Sequence, residues 1–171
     1  MGIGQGIPIA RIAMKENPAI NRFAALSVRT DVSLGILRSS RIADFNLMLA
    51  AAAQTFAPGR RYQEREVNDI LKNWLAREGS MLALDHVGLR RWLVDCRVLA
   101  RDDYGRAYAL GQPAPEIAAL VSVLSGVDLA AVAEAARTRD ASVRAVRKSE
   151  WNTGKRGAVV KRNEGSGEHG G

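Results

Sequence analysis

Residues 85–110 read DHVGLRRWLVDCRVLARDDYGRAYAL, a helical apolar pattern followed by two short runs around a turn. Asp85 is a suitable helix cap, because its carboxylate can accept from an otherwise unpaired N–H. Leu89, Trp92, Leu93 and Cys96 follow at steps of three, one and three, on one helical face. Two short runs, Val98–Arg101 and Arg106–Leu110, then enclose Asp102-Asp103-Tyr104-Gly105, a turn cluster ending in Gly. That pattern predicts a β-hairpin. Upstream, Val67, Ile70, Leu71 and Trp74, closed by Leu75, predict a second helix. Its first turn holds Glu64 and Glu66, where the helix dipole favours carboxylates. Earlier still, Ile42, Phe45, Leu49, Ala52 and Phe56 recur at three, four, three and four. They predict a helix capped by Ser39 or Ser40 and ended by Pro58-Gly59. Three helices followed by a hairpin is the order of a winged helix-turn-helix. The expected fold is mainly α: a winged helix-turn-helix-like three-helix domain over residues 38–110 with a C-terminal β-hairpin, plus C-terminal helices.

About 70 residues is near the lower limit for an independent core, so a flanking helix should contribute. Pro115 to Leu124 is one candidate, with Pro115 suited to the first helical position. Asp128 to about Trp151 is the other, its stripe being Leu129, Val132, Ala136, Val143 and Val146. Arg139 occupies the missing step in that rhythm and points to a wet edge or an acidic partner. Residues 1–37 are expected to form a partly ordered extension, with Pro8 and Pro18 opposing a long helix. Gly2, Gly4 and Gly6 have no strand before them and no clear helix after, so they make no dinucleotide fingerprint. Residues 152–171, rich in Gly, Ser, Lys, Arg and Glu, are expected to be a disordered tail.

Composition narrows the chemistry. Of 171 residues, 47% are apolar and 25% charged, which fits a globular chain. One cysteine and two histidines argue against a disulfide framework, a cysteine zinc site or a histidine-rich metal centre. No run of about 18 apolar residues is present, and the first 15 residues lack the pattern of a secretory leader. A cytoplasmic protein without cofactor, metal or membrane contact is expected. The net charge of +7 is concentrated: Arg137 to Arg162 holds nine basic groups against Asp140 and Glu150. Such a segment favours a polyanion, nucleic acid or an acidic protein surface, or serves as a solvated face.

Two stretches carry a resemblance. Phe56-Ala-Pro-Gly-Arg-Arg-Tyr-Gln-Glu-Arg-Glu-Val-Asn68 has the form F-x-P-G-R-R-Y-x-E-x-E-V-N, and Asp85 to Asp95 the form D-H-x-x-L-R-R-x-L-V-D. Leu99-Ala-Arg-Asp102 follows before the hairpin. Residues 38–110 thereby resemble the bacterial family called domain of unknown function 2087. The resemblance implies a winged-helix-like module of the sort that accompanies transcription-regulator DNA-binding domains, with no activity attached. Three departures stand out. Gln63 replaces the usual Ser or Thr cap, and Arg97 replaces the Gly that would end the third helix. The linker from Arg77 to Leu84 is longer than the shortest versions, which bears on the helix-turn-helix angle.

Candidate contacts are basic. Arg90 and Arg91 should project from the third helix, where Arg can donate two bonds to guanine, and His86 stands near the helix start. The alternative is pairing with Asp95, Glu64 or Glu66. If Asp102 to Gly105 form the loop, Arg101 and Arg106 face each other and require an anion or nearby acids. Arg60 and Arg61 could clamp a phosphate or form a turn-side salt bridge. Glu64, Glu66 and Asp69 read as helix-start acids rather than a catalytic set, and Cys96 as an inward-facing filler. No Ser-His-Asp spacing, phosphate loop or H-x-x-x-H is present, so no enzyme is expected. Two functions remain. One is a bacterial regulator or accessory factor binding double-stranded DNA. The other is an interaction module, with the 128–151 helix as a homodimer or partner-regulator surface.

Overall fold

The structure is a computed structural model that describes residues 17–163, with side chains described through Lys155. The Gly2-x-Gly4-x-Gly6 reading and the last part of the expected tail lie outside the described residues. The chain divides into two compact units, one reaching Ala136 and one starting at Arg137.

The first unit begins with α1 (Pro18–Ser27) and α2 (Leu34–Ser40). Pro18 does not block α1 but starts it, since its missing N–H is an orphan at that position anyway. Asn17 Oδ1 accepts from the Ala19 N–H at 3.0 Å. Ile20, Phe23, Leu26, Leu34 and Leu37 are buried, so residues 17–37, the described part of the expected extension over residues 1–37, supply core.

Next comes α3 (Ile42–Ala53), the most enclosed helix, with Phe45 and every residue from Leu47 to Ala53 buried. Ser39 and Ser40 end α2 instead of capping α3; Arg41 precedes α3 without a side-chain cap. Ile42, the first member of the expected stripe, is exposed. One polar group is enclosed in α3. Asp44 takes two bonds from Arg22 of α1, Nε to Oδ1 at 2.6 Å and Nη2 to Oδ2 at 2.5 Å. The Arg22 hydrogen bond holds the Asp44 carboxyl below its ordinary range against the opposing effect of burial, with Arg41 and Arg29 assisting.

Strand β1 (Tyr62–Gln63) leads into α4 (Glu64–Ala76), and α5 (His86–Asp95) packs on α4. Glu66 serves the start of α4 by accepting the Gln63 N–H at 2.8 Å, the carboxylate half of a capping box. Val67, Leu71 and Trp74 of α4 are buried, with Ile70 half-buried. Between the helices the chain is pinned. Gly79 donates to the Trp74 carbonyl at 2.9 Å, and a Cβ there would lie 2.2 Å from the indole. Met81 and Leu82 are buried, and Val32 donates to Met81 O at 2.8 Å while accepting from the Ala83 N–H at 2.9 Å. On α5, Leu89 and Leu93 are buried, and half-buried Trp92 meets Phe45 edge-on at 5.3 Å. Arg97 follows with φ +58, the left-handed conformation expected where it replaces Gly.

The expected hairpin is present as β2 (Leu99–Arg101) and β3 (Ala107–Leu110), antiparallel. A third strand was not expected: β1 pairs with the other edge of β3, Tyr62 opposite Tyr108, so the sheet order is β1-β3-β2. Beyond the sheet lie α6 (Pro115–Leu124) and α7 (Leu129–Asn163). Leu129, Val132, Ala133 and Ala136 of α7 are buried in the first unit. The second unit holds the rest of α7, which remains helical past residue 152, where the sequence predicts disorder. In that unit Val143, Val146 and Trp151 are exposed. Among the described residues, no single helix is long and apolar enough to cross a membrane.

Candidate nucleic-acid interface

The sequence-predicted arginines separate into held and open groups. Arg90 leaves α5 toward α4 and the sheet. Its Nη1 donates to Glu64 Oε1 at 2.7 Å and to Asn68 Oδ1 at 2.5 Å, and its guanidinium lies 5.8 Å from the Tyr108 ring centroid. With a side chain only 15% exposed, it does not project outward as the helical spacing predicts. The expected alternative, pairing with Glu64, is what occurs. Arg91, one step around the helix, is exposed and has no hydrogen bond or ion pair among the described residues. His86 is half-buried at the first position of α5. Asp85 Oδ1 already accepts the Gly88 N–H at 2.7 Å, so a carboxylate occupies the place a phosphate would take at that helix end.

Arg60 is held too. Its Nη2 reaches Glu66 Oε1 at 3.0 Å, and its guanidinium stacks 4.6 Å from the Tyr62 ring centroid. The turn-side salt bridge is therefore the arrangement found. The Glu66 carboxyl lies below its ordinary range because it accepts the Gln63 N–H, with Arg60 adding to the effect. Arg61, exposed beside it, has no direct ion pair among the described residues.

The hairpin register corrects one expectation. Arg101 faces Tyr108, not Arg106. Asp102 donates its N–H to Ala107 O at 3.0 Å, which leaves Asp103 to Arg106 as the loop. Two like charges are thus not opposed, and the sheet needs no anion to relieve them. Asp102 instead serves the loop: its Oδ1 accepts the Arg106 N–H at 2.7 Å. Backbone N–H groups, first that of Ala107, together with nearby Arg61, hold its carboxyl below the ordinary range. Arg101 and Arg106 are exposed, and Arg106 lies 5.8 Å from the exposed Tyr104 ring. Arg65, exposed on the first turn of α4, adds a positive group that the sequence motifs did not single out.

Burial pushes the Cys96 thiol up, as suits a filler. Among the described residues, no three His, Cys, Asp or Glu side chains are grouped to hold a metal ion.

Fold and site together define a mainly helical protein with a small three-stranded antiparallel sheet and an arginine-rich surface that is partly self-neutralised. Residues 39–110 match the model of a family described as an uncharacterized protein conserved in bacteria (DUF2087), the family whose motifs the two stretches carry. No curated protein and no solved structure matches the chain.

Proposed function

We propose that residues 38–110 act as a winged-helix module and that the protein is a non-enzymatic duplex-DNA-binding protein, a bacterial transcription regulator or accessory factor. The observation that carries this reading is the element order helix–strand–helix–helix–strand–strand from α3 to β3, with β1 paired on β3. In that arrangement the second helix of the pair, α5, enters the major groove and the hairpin follows the backbone. Arg91 is then the primary contact, with Arg61, Arg101, Arg106 and the edge of His86 as phosphate or sugar contacts. Arg60 and Arg90 hold the frame.

The test is equilibrium binding of a random labelled duplex by the full chain across a salt series. Affinity should fall as salt rises, because each phosphate neutralised releases counterions. Arg91→Ala should weaken binding while leaving the melting temperature unchanged. A base contact costs ~1–3 kcal/mol at one sequence position, and a phosphate contact lowers the log–log salt slope by ~1. Full affinity in a folded Arg91→Ala protein would refute α5 as the reading helix. A second reading, a protein-interaction module, is favoured by the capture of Arg60 and Arg90 by Glu66 and Glu64, which leaves the face mixed in charge. In that case no salt-dependent duplex binding would be measured.

A further inference from the structure

The second unit carries a surface line of its own. Arg144, Lys148, Trp151 and Lys155 follow at steps of four, three and four, which stacks them along one face of α7. At 1.5 Å per residue the line spans about 16 Å. Trp151 is 67% exposed, whereas Trp74 is 2% exposed and Trp92 is half-buried against Phe45. Lys155 Nζ lies 5.7 Å from the Trp151 ring centroid, and Lys148 is exposed one turn before it. Arg144 is engaged with Asp140, Nε to Oδ2 at 2.6 Å, a pair within one helix whose arginine is exposed and whose carboxylate is half-buried, and which a stronger polyanion can exchange. Val143 and Val146 lie off this line.

The chemistry of the line selects its occupant. Nine basic against two acidic groups between Arg137 and Arg162 make a second copy of the same face repulsive. One indole among cations is too little apolar surface to seat a helix in a bilayer. An acidic protein would satisfy the lysines and leave the indole without a particular partner. A duplex offers phosphates but keeps its bases stacked inside. A single strand offers both phosphates and open base faces, and cations interleaved with an exposed aromatic suit that pair of features.

We propose that the Arg144–Lys155 face of α7 binds single-stranded nucleic acid, Trp151 stacking on an unpaired base while Lys148 and Lys155 hold flanking phosphates. This site is independent of the α5 reading.

The experiment titrates the full chain with labelled 15-nucleotide oligo(dT), oligo(U) and a duplex of equal length, reading anisotropy and tryptophan emission. Oligo(dT), oligo(U) or both should bind and quench Trp151, the pair separating DNA from RNA as the natural strand. Trp151→Ala should weaken the binding about five- to a hundredfold, and Trp151→Phe should retain most of it. Lys148→Ala and Lys155→Ala should each lower the log–log salt slope by ~0.7. Arg91→Ala should leave oligonucleotide binding intact while weakening the duplex, so the two sites succeed or fail separately. No binding of either oligonucleotide at low salt would overturn the proposal. So would unchanged binding after Trp151→Ala, or displacement by duplex or polyglutamate as effective as by the single strand.

Discussion

Arg90→Ala should cost stability rather than recognition. The side chain joins α4, α5 and β3 through Glu64, Asn68 and Tyr108. Glu64 is about half exposed and rehydrates when its partner leaves, so the ion pair contributes at most ~1 kcal/mol. Asn68 Oδ1 is partly buried and loses its bond, at ~1 kcal/mol. Loss of the guanidinium beside Tyr108 adds ~0.5 kcal/mol. The sum is about 2 kcal/mol, worth ~4–8 °C of melting temperature in a chain of this size. Thermal and urea melts followed by tryptophan emission and circular dichroism measure it, with Arg91→Ala as the control expected within ~0.5 kcal/mol of wild type. Arg90→Lys should recover part of the loss, since an ammonium keeps the charge but not the fork that reaches two acceptors. If Arg90→Ala melted like wild type yet bound duplex more weakly, the division of the arginines into held and open groups would be refuted.

Two further outcomes follow from local geometry. Asp44 is 8% exposed at its side chain and Arg22 40%, so Asp44→Asn should cost ~1–3 kcal/mol at neutral pH, below the value for a fully buried pair because Arg22 can reach water. The folded carboxyl is depressed, so its contribution is complete above the unfolded value of ~3.9 and is lost as pH falls through the folded one. Acid melts of the variant should therefore be flatter with pH below ~5 than those of wild type, and parallel curves would contradict the pair's role. Arg97→Gly should relieve the positive-φ strain of ~1–2 kcal/mol against an unfolded-state entropy cost of ~0.5–1, a net gain of ~0–1.5 kcal/mol in a urea melt. A loss there would place the strain elsewhere.

The long periodic elements were legible because burial on one face writes itself at helical spacing. Leu89, Leu93, Val67 and Leu71 are buried as that spacing requires, and Pro115–Leu124 is a helix with the expected Pro start. What escaped was short or depended on distance in space. Strand β1 is two residues long and too short to show alternation; its existence rests on Tyr62 lying opposite Tyr108. Helices α1 and α2 are 10 and 7 residues, and Pro18 read as a breaker where Asn17 in fact supplies a cap. Ile42 fits the stripe of α3 by spacing yet is exposed, while Asp44 breaks the pattern and is buried with a partner 22 residues away. For the site, helical spacing alone treats Arg90 and Arg91 as equals. Only the packing of α4 on α5, with Glu64 and Asn68 brought beside Arg90, distinguishes them. The four, three, four spacing of Arg144, Lys148, Trp151 and Lys155 was present in the sequence, but the solvent exposure of Trp151 needed the structure.

The proposal that α5 and the hairpin meet duplex DNA is tested by amide chemical-shift mapping of the isotope-labelled full chain titrated with a random duplex. Salt-sensitive shifts should concentrate on His86 to Arg91 and on Arg101 to Arg106, and Arg91→Ala should reduce them. Shifts absent from both segments, or confined to α7, would contradict it.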